Sequence, residues 1–323
     1  MKACIVGAGA IGGWIAGLLC DAGWDVSLLA RGATLAAYRA QGLRVRRGGA
    51  EKIYRLAASD RAEDLSQPDY AIIAAKGQTI PDLAPAVATL LAPQTAVVPA
   101  INGIPWWFFQ VPGIPLSGLA LASVDPAGAV ARTIPPERVI GCVVHASAWM
   151  GEPGVVDVQG EDRLVFGEPD GAPSPRCETL AQAFAGSSVA PVVSPNIRLA
   201  IWTKLWGNMS MNPLSVLTGA STGRMLGDPG VWTLVRTMML EMQALGARIG
   251  LVLDMTPEDR MAMTRKLGDL KTSMLRDAEA GRGIEIEPIL GALVEIADRL
   301  GEPAPNLRAV LGLVRVREAA LRR

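Results

Sequence analysis

The chain has 323 residues, half of them apolar and 19% charged, which suits a folded protein with about two hydrophobic cores. Lysine plus arginine and aspartate plus glutamate number 31 each, so no bulk attraction to nucleic acid or to an anionic membrane follows and any anion site must be local. No apolar run approaches the roughly 18 residues of a bilayer span. Cys4, Cys20, Cys142 and Cys177 fit neither a zinc pattern nor a disulfide framework, so buried thiols and no metal are expected.

Ala3 to Val6 is a short apolar run of the kind a parallel strand needs when both faces are covered, and Gly7-Ala8-Gly9-Ala10-Ile11-Gly12 follows at once. The chain thus opens directly on a strand and a glycine turn, with no room for a cleavable signal, and a cytoplasmic location is expected. Ile11, Trp14, Ile15, Leu18 and Leu19 then fall at helical spacing, which puts the glycines on a strand-to-helix turn. There Gly7 allows the tight turn, Gly9 lets backbone approach a pyrophosphate and Gly12 lets helix pack on strand. With 35 glycines in the chain the motif alone is weak; its βα setting points to dinucleotide binding over a plain turn. The second strand, Val26 to Ala30, ends at Arg31 where an NAD enzyme usually carries an acid. A guanidinium there suits the 2′-phosphate of NADP, the other reading being a solvated arginine.

Leu43 to Arg46, Gly48-Gly49 and Lys52 to Leu56 predict a hairpin. Another strand, Tyr70 to Ala75, runs into Lys76, which stands where a cofactor phosphate would pass; position alone equally allows a solvated lysine. The strand near Ala96 to Ala100 ends at Asn102-Gly103, where the amide could serve the nicotinamide end or the substrate, or merely a turn. Trp106-Trp107-Phe108-Phe109 reads as core or interface ahead of a pocket lining. Strands are predicted at Val139 to Ala146, Gly154 to Val158 and Leu164 to Gly167 as a mixed or antiparallel edge, and the lone His145 there is read as structural. After Val189 to Val193 the pattern becomes helical only, which sets domains of 1–193 and 194–323. Asp228-Pro229 and Thr256-Pro257 mark two helix starts.

The segment from Ile201 to Leu214 carries Lys204, Asn208 and Asn212 four apart. Four residues advance about 400°, so the three side chains form one polar stripe on an otherwise apolar helix, and such a stripe needs partners. Pro213 removes a backbone donor within it, predicting a kink. Ser273 and Glu285 are weak signals by themselves; a carboxylate at the first turn of the helix after Gly283 would serve that helix end.

Taken in order, Gly7-x-Gly9-x-x-Gly12, Arg31, Lys76, Asn102-Gly103, Trp202-x-Lys204-Leu205 with Asn208 and Asn212-Pro213-Leu214, and Ser273-Met274 followed by Glu285, the chain resembles the ketopantoate reductases (2-dehydropantoate 2-reductases) along nearly its whole length. The resemblance implies an α/β fold with an N-terminal Rossmann-type dinucleotide-binding domain and an all-helical C-terminal domain, a 2-keto acid and NADPH meeting in the cleft between them. It implies hydride transfer with Lys204 as proton donor and Glu285 hydrogen-bonded in the closed site. Asn208 and Asn212 would orient the substrate, Ser273 would bind its carboxylate or hydroxyl, and Asn102 would touch both ligands. Cofactor contacts fall to Gly7, Ala8, Gly9, Ala10, Ile11, Gly12, Arg31, Lys76 and Asn102. The apolar helices of the second domain are consistent with a homodimer. Two departures leave the keto acid open: Thr222 stands where the family commonly has a third asparagine, and Trp106 and Trp107 are bulkier than usual. The competing readings are a reductase of another 2-keto acid, a β-hydroxyacid dehydrogenase and a non-catalytic NADP-binding regulator.

Overall fold

The computed structural model describes residues 1–266 and 268–321. They divide into two compact units, Met1–Ile101 with Ala129–Ile197, and Asn102–Gly128 with Arg198–Arg323. The sequence led us to expect one boundary, after residue 193. The first unit runs on to Ile197, and the excursion 102–128 is claimed by the helices because its aromatic cluster packs among them; residues 322 and 323 of the expected second domain lie outside the described residues. Among the described residues no helix is long and apolar enough to cross a membrane.

The first unit alternates strand and helix: β1 (Lys2–Val6), α1 (Ala10–Asp21), β2 (Asp25–Leu29), α2 (Gly32–Gln41), β3 (Leu43–Arg47), β4 (Ala50–Tyr54), β5 (Ala57–Ser59), β6 (Tyr70–Ile73), α3 (Ile80–Leu90) and β7 (Ala96–Pro99). After the excursion come α4 (Ala129–Thr133), β8 (Gly141–Glu152), β9 (Val155–Gly167), α5 (Pro175–Gln182) and β10 (Val189–Val193). Five of these strands form a wholly parallel sheet in the order β5-β2-β1-β6-β7, so the order reverses at β1, as in doubly wound nucleotide-binding folds. Val6 is in register with both Leu29 and Ile73, so β1, β2 and β6 end together and the segments that follow them share one edge.

A second sheet, β10-β9-β3-β4 with β8 paired antiparallel to β9, covers the other side of α1. That explains why α1 is apolar nearly all round: a side chain at Gly12 would strike Ile5 of β1, and one at Gly13 would strike Val156 of β9. The predicted strands at 154–158 and 164–167 are one strand, β9, continued through Gly160 at φ +93°; its first half pairs with β3 and its second half with β10. They belong to this second sheet, which is mixed as expected: β3–β4 and β8–β9 pair antiparallel, β3–β9 and β9–β10 parallel. His145 lies opposite Arg163 across the β8–β9 pair, with Nε2 3.3 Å from a guanidinium nitrogen. Cys4, Cys142 and Cys177 are buried free thiols, whereas Cys20 is only half-buried.

The second unit contains α6 (Ile197–Thr218), α7 (Thr222–Gly227), α8 (Pro229–Arg248), α9 (Pro257–Lys266), α10 (Ser273–Glu279), α11 (Ala292–Leu300) and α12 (Pro305–Leu321). Asp228 caps α8 by accepting from the amides of Gly230 and Val231, both at 2.9 Å. Thr256 and Asp259 form a reciprocal capping pair at the start of α9. Trp106, Trp107, Phe108 and Phe109 are all buried; Phe108 stacks on Trp202 of α6, and Arg198 donates to the Phe108 carbonyl while lying 4.8 Å from the ring centroid. The cluster therefore roots segment 102–128 in the helical core.

Candidate active site

In the first unit the candidate residues gather at the carboxyl edge of the parallel sheet. Gly7 follows β1 with φ +88°, a conformation that favours glycine, and a side chain there would also strike Ala75. Gly12 is pinned for a different reason, since its Cβ would come within 2.5 Å of the Gly7 carbonyl oxygen. Gly9 differs from both: a Cβ at this position meets nothing within 4 Å. Packing does not demand glycine there, so the open space is what a close-lying pyrophosphate would use. α1 begins without a side-chain cap and its first turn carries no acid, so no side chain of that turn competes with an anion for its leading amides. Tyr38 stabilises the loop by donating to the Ala8 carbonyl at 2.7 Å. Arg31, exposed, follows β2 on the same edge and precedes the first turn of α2; Lys76, half-buried, follows β6 and its carbonyl accepts from the Thr79 hydroxyl. The residues present fit a dinucleotide.

The second unit assembles its candidates from four separate stretches of chain. Lys204 on α6 donates from Nζ to Asn102 Oδ1 at 2.8 Å, and Asn102 Nδ2 donates to Glu285 Oε2 at 3.2 Å. A lysine can only donate and a carboxylate can only accept, so the two partners fix the orientation of the amide. Gly103 and Ile104 hold Asn102 in place. Ile104 donates its amide to the Pro288 carbonyl at 2.8 Å, and Gly103, at φ +82°, lies so close that a Cβ would stand 2.6 Å from that carbonyl carbon. Pro288 belongs to a π-helical turn, Glu287–Gly291, that leads into α11. Glu285 is thus not in the first turn of a helix, as its position had suggested, but buried just ahead of the π turn. Arg315 of α12 clamps that turn through a bidentate pair with Glu287 at 2.6 and 2.7 Å.

Asn208 and Asn212 continue the stripe below Lys204, and neither side-chain amide is engaged by another described residue. Asn212 is buried, at 6% exposure, and its unengaged amide is left for water or a ligand to meet. Pro213 lies inside what remains one helix of 22 residues. Ser273 is exposed at the first position of α10, and a hydroxyl chain ties that end to α6. Ser215 donates to the Asn212 carbonyl at 2.7 Å, so Thr272, 2.6 Å away, must be the donor to Ser215, while Thr272 accepts from the Leu275 amide. Ser215 escaped the reading of the sequence, although it stands eleven residues after Lys204 and so prolongs the same stripe. Thr222 is occupied elsewhere: its hydroxyl donates to the Gly268 carbonyl and accepts from the Leu270 amide.

A doubly wound parallel sheet with an open glycine turn, and a helical unit carrying a lysine–asparagine–glutamate network, define a dinucleotide-dependent oxidoreductase. The family models described as Ketopantoate reductase PanE/ApbA and Ketopantoate reductase PanE/ApbA C terminal match residues 3–171 and 196–318. The chain belongs to the ketopantoate reductase family. It is 42% identical over 317 residues to the 2-dehydropantoate 2-reductase of Mesorhizobium japonicum, covering 98% of this chain and 97% of that one. Among solved structures, a Ralstonia solanacearum protein assigned as a ketopantoate reductase superposes with a TM-score of 0.94 at 43% identity, over 99% of this chain and 98% of that one. The 2-dehydropantoate 2-reductase of Methylococcus capsulatus gives 0.85 at 30% identity, over 100% and 98%.

Proposed function

We propose that the protein reduces the ketone of 2-dehydropantoate to the alcohol of pantoate, with NADPH as reductant and Lys204 as the acid, a step that supplies pantoate for pantothenate synthesis. The observation that carries this reading is the Lys204–Asn102–Glu285 chain, which holds an ammonium by a fixed amide inside a family of ketone reductases. Gly7 to Gly12 would hold the pyrophosphate of the cofactor, Arg31 its 2′-phosphate and Lys76 a further phosphate oxygen. When bound, the reduced nicotinamide supplies the hydride for the ketone carbon.

The chain's own residues do the rest. As the carbonyl π bond breaks, negative charge collects on oxygen, and Lys204 Nζ gives that oxygen a proton, so one C–H and one O–H bond replace the π bond. The amine left behind regains its proton from solvent. Asn102 accepts from Lys204 and thereby aims the ammonium, and Glu285 keeps the Asn102 amide from turning over. Asn208 and Asn212 offer amides to orient the keto acid, and Ser273 a hydroxyl. The reading includes a cytoplasmic location and a homodimer formed through the apolar helices of the second unit.

A different branched 2-keto acid is favoured by one feature, the engagement of the Thr222 hydroxyl by Gly268 and Leu270, which removes a polar contact from the substrate. The experiment is to follow NADPH oxidation with 2-dehydropantoate beside a panel of other 2-keto and 3-oxo acids, in wild type and Lys204→Ala. Turnover of 2-dehydropantoate that falls by about 100-fold or more in the variant is expected. Turnover untouched by the substitution would remove Lys204 as the acid. Activity on another acid alone would move the substrate, and NADPH binding without turnover would leave a regulator.

A further inference from the structure

The second unit holds a guanidinium that its fold leaves without an acidic partner. Arg236, Arg248, Arg282, Arg308 and Arg315 each pair with a carboxylate, and Arg198 and Arg265 donate to backbone carbonyls. Arg260 on α9 does neither. Its Nη1 donates to the hydroxyl of Thr264, one turn further along, at 3.0 Å, and Thr264 in turn donates to the Arg260 carbonyl. Its Nε and Nη2 meet no acceptor among the described residues, and burial pushes its pKa down. A partly buried cation of this kind is costly until an anion reaches it.

The guanidinium fills the space beside Gly207 on α6, where any Cβ would overlap it, with Cζ at 2.7 Å and Nε at 3.2 Å from that Cβ position. A glycine in a helix interior is unfavourable in itself, so its place here is explained by the arginine it admits. Gly207 is three residues from Lys204 and one before Asn208, and side chains three apart on a helix are neighbours at about 5–6 Å. The fork of Arg260 therefore sits beside the stripe that carries the acid.

We infer that Arg260 binds the carboxylate of the 2-keto acid substrate, through two charge-assisted hydrogen bonds from Nε and Nη2. The inference rests on the reductase reading above. In a 2-keto acid the carboxylate is bonded directly to the ketone carbon, so the group that binds it must stand within a few ångströms of the group that protonates the ketone oxygen. A planar guanidinium matches two carboxylate oxygens in a way that a serine hydroxyl cannot, and Ser273 then serves the substrate's hydroxyl.

The test compares wild type with Arg260→Gln, Arg260→Lys and Gly207→Ala, using 2-dehydropantoate and its methyl ester as substrates and thermal melting as the check on folding. The expected result for Arg260→Gln is a rise of roughly 10- to 100-fold in KM for the acid, little change for the ester, unchanged NADPH affinity and partial rescue in Arg260→Lys. Gly207→Ala, which displaces the guanidinium without removing it, should move KM in the same direction. A KM for the acid within twofold of wild type overturns the inference. So does an equal loss for acid and ester. Should wild type turn over no 2-keto acid, it is the reductase reading that fails, and calorimetric binding of pyruvate then decides Arg260: binding lost in Arg260→Gln supports it, while binding equal in both, or absent from wild type, overturns it.

Discussion

The two units hold their polar groups beside an apolar core by opposite means. In the first, the candidate site is mostly backbone: the amides at the start of α1, the open position at Gly9 and the close approach at Gly12 are set by strand register and by missing side chains. In the second it is side chains, brought from residues 102, 204–215, 272–273 and 285, with Lys204, Asn102 and Glu285 joined in one chain and Ser215 and Thr272 in another. A backbone site fails when a Cβ is added, and otherwise tolerates substitution. A side-chain site fails when any member is trimmed, often without loss of the fold.

The sharpest way to break that contrast is Gly103→Ala, because this glycine belongs to the side-chain site yet is bound by backbone rules. Its φ of +82° and its approach to Pro288 leave no room for a methyl group, so the π turn and Asn102 must separate. A destabilisation of about 2–4 kcal/mol is expected from strain and overlap together, with a fall in kcat of at least about 100-fold, read by denaturant unfolding and NADPH oxidation. An active and fully stable variant would mean that the Asn102–Glu285 contact is not set by this turn.

Gly9→Ala tests the opposite case. Nothing among the described residues obstructs the added methyl group, so the melting temperature should stay within about 2 °C of wild type while NADPH binding weakens by about 10-fold or more. A lower melting temperature with unchanged binding would reduce the motif to an ordinary turn. A smaller, selective effect is expected of Arg31→Ala: about 1–2 kcal/mol of NADPH affinity lost and almost none for NADH, as titrations with the two cofactors would show. Equal losses would place Arg31 away from the 2′-phosphate.

The same contrast explains what could be read from the sequence. The first unit was legible because its signals are local: an apolar strand, a glycine turn and a helix lie within some twenty residues, and the order of elements fixes a parallel sheet. The stripe of Lys204, Asn208 and Asn212 was legible for the same reason, being periodic on one helix. The assignment of residues 102–128 was not, since it depends on Phe108 stacking on Trp202, 94 positions away. Nor was the placement of Glu285, which depends on a π turn and on a carbonyl shared with Ile104. Arg260 gave no signal at all: an arginine on a polar helix looks solvated until Gly207 is seen beneath it.

Ser215 offers the finest test, because it belongs to the stripe in sequence but acts through others. Removing its hydroxyl in Ser215→Ala leaves Thr272 without the acceptor that joins α10 to α6, while the Thr272 cap on Leu275 survives. About 1 kcal/mol of stability should be lost for a buried neutral hydrogen bond, and the freedom gained by the start of α10 should raise the substrate KM about threefold with kcat nearly constant. Thr272→Val removes the same bond from its other end and also removes the cap, so it should cost more stability and change KM by a similar factor. If the bond positions Ser273, adding the second substitution to the first should leave KM where the first put it, because the link is already cut. Effects on KM that multiply would separate the two hydroxyls, and a stability loss with no change in KM would leave the chain as a tie between helices with no bearing on the substrate.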